Sequence, residues 1–113
     1  MTDTRKLIEL AARSIGIVGV VEEVHKSLGD EKTIPVFFPD DGAADSWDPL
    51  NDQADSDRMA CALEMYILWQ ETYVVARKDD VDELVSHDGT TEGKCAAVRQ
   101  ARLMVAAEIG RNL

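Results

Sequence analysis

Aromatic residues, prolines and cysteines are all scarce in this chain. Phe, Trp and Tyr make up 5% of the 113 residues, so Ala, Val, Leu, Ile and Met have to fill the core. The only cysteines are Cys61 and Cys95, which are too few for a disulfide framework. Because both lie in helical patterns, we expect them to be buried, reduced thiols. The length suits a single domain, residues 1–113.

Positive charge is scarce as well. Lys and Arg number 12 against 22 Asp and Glu, so the net charge is −10 at pH 7 and the pI is about 4.5. Such a charge opposes direct binding to nucleic acid or to an anionic membrane. The apolar run 15–21 is too short for a membrane span or a signal peptide. We therefore expect a protein of the cytosol.

The first half of the chain predicts a helix and a hairpin. The helix follows Asp3, a good N-cap, and ends near Gly16. Residues 17–24 and 33–38 then predict two strands, and Pro35 favours an edge position for the second of them.

The second half predicts two helices and three strands. A helix begins at Asn51 or Asp52, residues 66–78 suggest a hairpin, and residues 82–87 suggest a further strand. The last helix covers residues 92–110. The resulting order is α-β-β-α-β-β-β-α with short connections. It predicts an α+β, sandwich-like fold, in which three helices pack on a mostly antiparallel sheet of about five strands.

The segment 46–63, SWDPLNDQADSDRMACAL, is the most distinctive part of the chain. Its run W-D-P-L-N-D-x-x-D-x-x-R-x-A-x-x-L resembles the signature of the phage ABA-sandwich domain family, and residues 98–111 are similar to the closing helix of that family. The resemblance is carried by Trp47, Pro49, Leu50, Asp52, Asp55, Arg58, Ala60 and Leu63. It implies a small protein of a tailed phage or prophage, with helices packed on a sheet, and it implies no activity.

Two interpretations of this segment stay open. In the structural one, Trp47 packs on the core ahead of the helix, Pro49 and Leu50 shape the approach, and Asp52 caps the helix. Asp55 then pairs with Arg58 on the helix surface. In the functional one, Trp47 and Arg58 line a pocket, where the ring stacks on a flat ligand and the guanidinium binds a phosphate or carboxylate.

Metal and catalytic motifs are weak. Seven aspartates lie between positions 40 and 57, but their spacing does not fit a calcium loop, and the His and Cys residues lack paired zinc spacing. We expect no metal and no cofactor. Ser86, His87 and Asp88 are adjacent, and neighbours in a strand point to opposite faces, so a turn is a better interpretation than a catalytic triad. We therefore expect a protein that is not an enzyme.

The last helix suggests a second copy of the chain. Its alanine-rich flank predicts a two-fold contact, unless the first helix covers that flank. Arg99 and Arg102 are expected on the solvated side of the helix. Across a dimer interface they would form a basic cleft for an anionic ligand. The alanines concerned are Ala96, Ala97, Ala101, Ala106 and Ala107.

These features favour a non-enzymatic accessory protein of a phage, which acts by binding or sequestration in the host cytoplasm. We expect a role in counter-defence, through trapping a nucleotide-like, anionic immune signal or covering a host immune protein. One alternative is an acidic mimic of DNA, in which the aspartates of residues 40–57 imitate phosphates. Another is a small factor for virion assembly.

Overall fold

The computed structural model describes residues 4–25, 33–40 and 46–113. In these ranges, three helices and five strands follow one another in the predicted order, which confirms the α+β fold class. The strands form two antiparallel sheets, β1-β2 and β3-β4-β5. The elements are α1 (Thr4–Ser14), β1 (Gly19–His25), β2 (Thr33–Pro39), α2 (Gln53–Leu63), β3 (Tyr66–Trp69), β4 (Tyr73–Lys78), β5 (Val81–Ser86) and α3 (Thr91–Arg111).

Local side-chain chemistry sets the helix ends. Gly16, at a φ of 77°, adopts the left-handed conformation just after α1, as its position in the sequence predicts. Asp52 caps α2, because its carboxylate accepts a hydrogen bond from the Asp55 N–H at 3.1 Å. Asp3, the predicted cap of α1, lies outside the described residues. Among the helices of the described ranges, none combines the length and the apolar character needed to cross a membrane.

The prediction that β2 is an edge strand is confirmed, and the hydrogen bonds show how its prolines are accommodated. The carbonyl oxygen of Phe37 accepts a hydrogen bond from the Trp47 N–H at 2.8 Å, so the main-chain groups of Phe37 face away from β1. Pro35 and Pro39 lie two residues to either side and share this orientation. Neither proline therefore removes a hydrogen bond between β1 and β2.

Helix α3 lies between two clusters of buried side chains. On one side, Leu103 and Ala106 pack with Ile8 of α1 and with residues of β1, β2 and α2. On the other side, Val98 and Val105 pack against the three-stranded sheet. The apolar side chains on these two sides of α3 are therefore buried by contacts within a single molecule.

Most of the face predicted for a homodimer is inside the protein, and Ala96 is the exposed member of its five alanines. Ala97, Ala101, Ala106 and Ala107 are each at most 4% exposed, because α1 lies along one side of α3 and the three-stranded sheet along the other. The first helix therefore covers part of this flank, as the alternative predicted, and the three-stranded sheet covers Ala97 and Ala101. A second copy could not reach the buried alanines without separating α3 from α1 or from the sheet.

Both cysteines are free and exposed, so the prediction that they are buried was wrong. The buried face of α2 is narrow, consisting of Ser56, Met59 and Ala60, and it leaves Cys61 outside. Cys95 lies near the start of α3, before the buried residues of that helix begin at Ala97. A helical pattern shows which residues share a face, but it does not show how much of that face is covered.

Candidate functional site

Trp47, the first residue of the predicted signature, lies in the core. Its side chain is 7% exposed. The ring meets Phe37 edge to face, with 5.7 Å between ring centroids and an angle of 78° between ring planes. A ring packed in this way has no face free for a flat ligand.

The residues that follow Trp47 build the start of α2. Pro49 is fully buried, and Leu50 is partly buried against the same core as Trp47. The Asp55 carboxylate accepts a hydrogen bond from the Asp48 N–H at 2.9 Å, which ties the loop to the first turn of the helix. This geometry agrees with the structural interpretation of the segment.

Arg58 points into solvent. Its side chain is 81% exposed, and Nη1 lies 4.0 Å from the Asp55 carboxylate, as in the predicted surface pair. Trp47 is in the core and Arg58 is on the surface, so the structure does not bring them together as two walls of a pocket.

Arg99 and Arg102 join α3 to α2 rather than facing solvent. Arg99 Nε donates to the Leu50 carbonyl oxygen at 2.8 Å, and Arg99 Nη1 donates to Gln53 Oε1 at 3.0 Å. Arg102 Nη1 donates to Asp57 Oδ1 at 2.7 Å, and the Arg102 side chain is only 17% exposed. The two arginines come close to each other within one chain, where α2 covers them. Their predicted place on the wetter side of α3 was therefore wrong.

The contact with Arg102 changes the acidity of Asp57. The hydrogen bond from Arg102 lowers the pKa of the Asp57 carboxyl group, and a second hydrogen bond, from Gln53 Nε2 at 2.9 Å, lowers it further. Both donors favour the ionised carboxylate, so Asp57 holds the start of α2 against α3 in its charged form.

We expect Asp57→Asn to lower the free energy of unfolding at neutral pH, and this deficit to disappear in acid. Since folding depresses the pKa of Asp57 below its ordinary value of 3.8, the carboxylate contributes its stability above that pH. The contribution is lost as the pH falls through the folded-state pKa. Urea unfolding of both proteins over a series of acidic pH values measures the difference. Arg58→Ala is the matched control and should cost well under ~1 kcal/mol. An Asp57→Asn deficit that persists unchanged in acid would contradict this assignment.

The main concave feature near these residues is a groove of about 350 Å³ along the outer side of β3. Helices α2 and α3 form its other walls. Of the predicted ligand-binding residues, Arg102 is the one that lines it. The lining residues are Gln53, Met65, Tyr66, Ile67, Trp69, Cys95, Val98 and Arg102.

Two aromatic residues, Trp69 and Tyr66, line this groove. Tyr66 is 50% exposed, and its side chain lies on the opposite face of β3 from that of Trp69. Trp69 is 58% exposed, whereas the other tryptophan is buried. Its register partner Val74 is buried under α3, so the Trp69 side chain lies on that same face of the sheet. Sequence reasoning missed this residue, because the apolar pattern of β3 does not show that the sheet ends there. The available signal was an aromatic residue at the end of a short strand.

The main chain of β3 is open on the groove side. The Gln70 N–H donates to the Tyr73 carbonyl oxygen at 2.9 Å, so alternate residues back along β3, Leu68 and Tyr66, also face β4. The N–H and C=O groups of Ile67 and Trp69 lie between them and face outward. In the described part of the chain, no strand pairs with β3 on that side.

The charge around the groove is mixed. Arg102 is the cationic residue in the lining, and it already donates to Asp57, which is half exposed. Glu92, one helical turn before Cys95, is also exposed. Arg102 Nε is buried and has no hydrogen-bond partner within the described residues.

Ser86 is the last residue of β5, and His87 and Asp88 lie in the connection from β5 to α3. His87 Nδ1 accepts a hydrogen bond from the Gly89 N–H at 3.1 Å. Asp88 Oδ1 accepts hydrogen bonds from the Thr90 hydroxyl at 2.6 Å and the Thr90 N–H at 3.0 Å, and these lower the pKa of Asp88. The carboxylate is therefore engaged by the cap of α3 rather than orienting His87. Across the described ranges, no three His, Cys, Asp or Glu side chains are grouped as a metal site would require.

No protein-family model, curated protein or solved structure matches this chain. The resemblance to the phage ABA-sandwich domain family, carried by residues 47–63 and 98–111, therefore stays a prediction.

Proposed function

We propose that this chain is a non-enzymatic binding protein that covers a segment of another protein, with the groove beside β3 as its contact site. The observation that carries the proposal is the exposed ring of Trp69 beside the open main-chain edge of β3. Exposed aromatic side chains next to apolar walls are frequent anchors of protein interfaces. Met65, Ile67 and Val98 provide such walls here.

A protein segment suits this groove better than a nucleotide does. A phosphate would have to compete with Asp57 for the Arg102 guanidinium. The chain also carries a net charge of −10, which repels an anion at long range. A neutral or basic segment meets neither obstacle.

The biological setting of the proposal comes from the sequence. In the setting that the phage resemblance implies, the covered partner is a host protein, the site of action is the host cytoplasm, and the role is counter-defence. A DNA mimic would need a continuous acidic surface. Asp52 and Asp55, however, are occupied with hydrogen bonds at the start of α2, and Asp41 and Asp45 lie outside the described residues.

A small anionic ligand is a second candidate, favoured by one observation. Arg102 Nε is a buried donor without a partner in the described part of the chain, and such donors are uncommon because an unmade hydrogen bond is costly. An anion that displaced Asp57 could take this donor as well as Nη1. The bound mass in the experiment below separates this candidate from a protein partner.

Trp69→Ala should remove partner binding and leave the fold intact. Exposed aromatic anchors typically contribute about 2 kcal/mol or more to binding, which corresponds to roughly 30-fold in affinity. Native mass spectrometry of the protein from infected, defence-active cells should show a partner protein on the parent chain and none on the variant.

The matched control for this experiment is Leu84→Ala. Leu84 is 54% exposed, close to the 58% of Trp69, and it lies on the opposite face of the same sheet. We expect Leu84→Ala to keep the partner. Retention of the partner by Trp69→Ala, or its loss only with Leu84→Ala, would refute the groove as the contact site. A bound mass in the range of a nucleotide would favour the second candidate.

A further inference from the structure

The geometry points to strand addition as the mode of binding: an extended segment of a basic partner protein joins the three-stranded sheet along the free edge of β3. This inference rests on the proposed function and names the conformation and the charge of the ligand. Strand addition is a recurring mode of peptide recognition, in which main-chain hydrogen bonds supply affinity and side-chain pockets supply specificity.

The main chain of β3 offers unpaired hydrogen-bonding groups to the groove. Ile67 and Trp69 both present N–H and C=O groups to the groove, and they are two residues apart, or about 6.8 Å along a strand. Two such residues form the hydrogen-bonding edge that an incoming strand of three or four residues needs. The edges of β2 and β1 differ, because the Phe37 carbonyl accepts from Trp47 and the Val21 carbonyl accepts from Arg5 at 3.1 Å.

The walls of the groove set which side chains an added strand can carry. Successive side chains of an added strand would point alternately toward α3 and away from it. Those that face α3 would meet Val98, Cys95 and the Trp69 ring, which favour apolar side chains. The others would lie beside Leu68, on the open face of the sheet. The groove therefore favours a segment with an apolar residue at every second position.

Charge selects the class of partner. Arg102, the cation among the lining residues, is already paired with the Asp57 carboxylate. Because this lining cation is paired with a carboxylate, lysine or arginine on the segment is compatible with the groove. The net charge of −10 would also raise the rate at which a basic partner arrives. A second copy of this chain is the less suitable occupant, since it carries the same negative charge.

The test uses a probe peptide of about six residues that alternates lysine and valine, a length close to that of a typical strand. We expect it to quench or shift the emission of Trp69 and to slow hydrogen exchange at the Ile67 and Trp69 amides. Two N-methylated isomers sharpen the test, one methylated on the valine amides and the other on the lysine amides. Since alternate amides of a strand face opposite edges, one isomer should lose at least about tenfold in affinity and the other should not.

A pair of protein variants tests the same contact from the other side. Trp69→Ala and Trp69→Pro both remove the ring, but only the proline removes the outward N–H. That N–H makes no bond to β4, so Trp69→Pro should keep the ladder, just as Pro35 and Pro39 do in β2. We expect Trp69→Pro to bind the probe about tenfold more weakly than Trp69→Ala. If Trp69→Pro fails to fold, the two N-methylated peptide isomers still test strand addition.

The outcomes separate strand addition from the proposed function. Equal affinity of the two isomers, with binding still lost in Trp69→Ala, would overturn strand addition and keep the groove as a binding site. Probe binding that is unchanged in Trp69→Ala would overturn both strand addition and the groove as the contact site. An acidic peptide that alternates glutamate and valine should bind at least tenfold more weakly, and equal binding would overturn the basic class of partner. Dimerisation of the chain without peptide, lost in Trp69→Pro, would assign the edge to a second copy.

Discussion

Trp47→Ala is expected to lower the free energy of unfolding by about 3–5 kcal/mol, the usual range for removing a buried large aromatic side chain. The ring is 7% exposed and packs edge to face on Phe37, so its removal deletes the aromatic contact and leaves a cavity in the core. The Trp47 N–H would still bond to the Phe37 carbonyl, because that bond belongs to the main chain. Urea denaturation followed by circular dichroism measures the loss.

Trp69→Ala is the control for this prediction, because it removes the same side chain from a site where 58% of it is exposed. It should cost much less stability than Trp47→Ala. It also leaves Trp47 as the sole tryptophan, whose emission should be that of a buried indole. A loss under ~1 kcal/mol for Trp47→Ala, or water-exposed emission from Trp47, would show that the ring is not part of the core.

Gly110→Ala is expected to lower the free energy of unfolding by about 1–3 kcal/mol, and by more if α1 cannot move. A Cβ atom at position 110 would collide with the carbonyl oxygen of Leu10 and lie 2.7 Å from its carbonyl carbon. Both are backbone atoms, so relief requires a shift of α1 relative to α3. The usual preference for alanine over glycine inside a helix, up to about 1 kcal/mol, acts in the opposite direction and is outweighed.

Gly16→Ala gives the comparison for Gly110→Ala. A Cβ at Gly16 would meet nothing within 4 Å, and its cost arises from the φ of 77° alone. We expect it to be the milder of the two substitutions, roughly 1–2 kcal/mol. Urea denaturation of both variants measures the difference. A Gly110→Ala protein that is more stable than the parent would contradict the close approach of α1 and α3.

The candidate site could be predicted only in part. Arg102 was expected to bind an anion, but on a solvated side of α3 and across a dimer interface. It lies instead at the wall of a groove within one chain. Trp69 lines that groove because β3 is an edge strand of its sheet. Gln53 lines it because α2 packs on α3. Neither arrangement can be predicted from the local pattern of residues.

Trp47 and Arg58 show that a sequence motif does not reveal which of its residues lie together. Both belong to one distinctive segment, and their spacing is compatible with a shared pocket as well as with separate roles. The structure separates them because Trp47 joins β2 through a main-chain bond to Phe37, while Arg58 lies on the exposed side of α2. That bond joins residues ten positions apart across a loop, so periodicity could not reveal it.

Local features of the sequence were sufficient to predict the α+β class, the order of the eight elements, the cap at Asp52 and the edge position of Pro35. Each depends on interactions among residues within a few positions of one another, such as a capping carboxylate or a missing N–H. Only the tertiary structure decided that α1 and the three-stranded sheet cover most of the alanines of α3, that Cys61 and Cys95 are exposed, and that β3 has a free edge beside α2. These features depend on which helices and strands pack against one another. The pattern of a helix or strand shows which of its residues share a face, but it does not show which element covers that face.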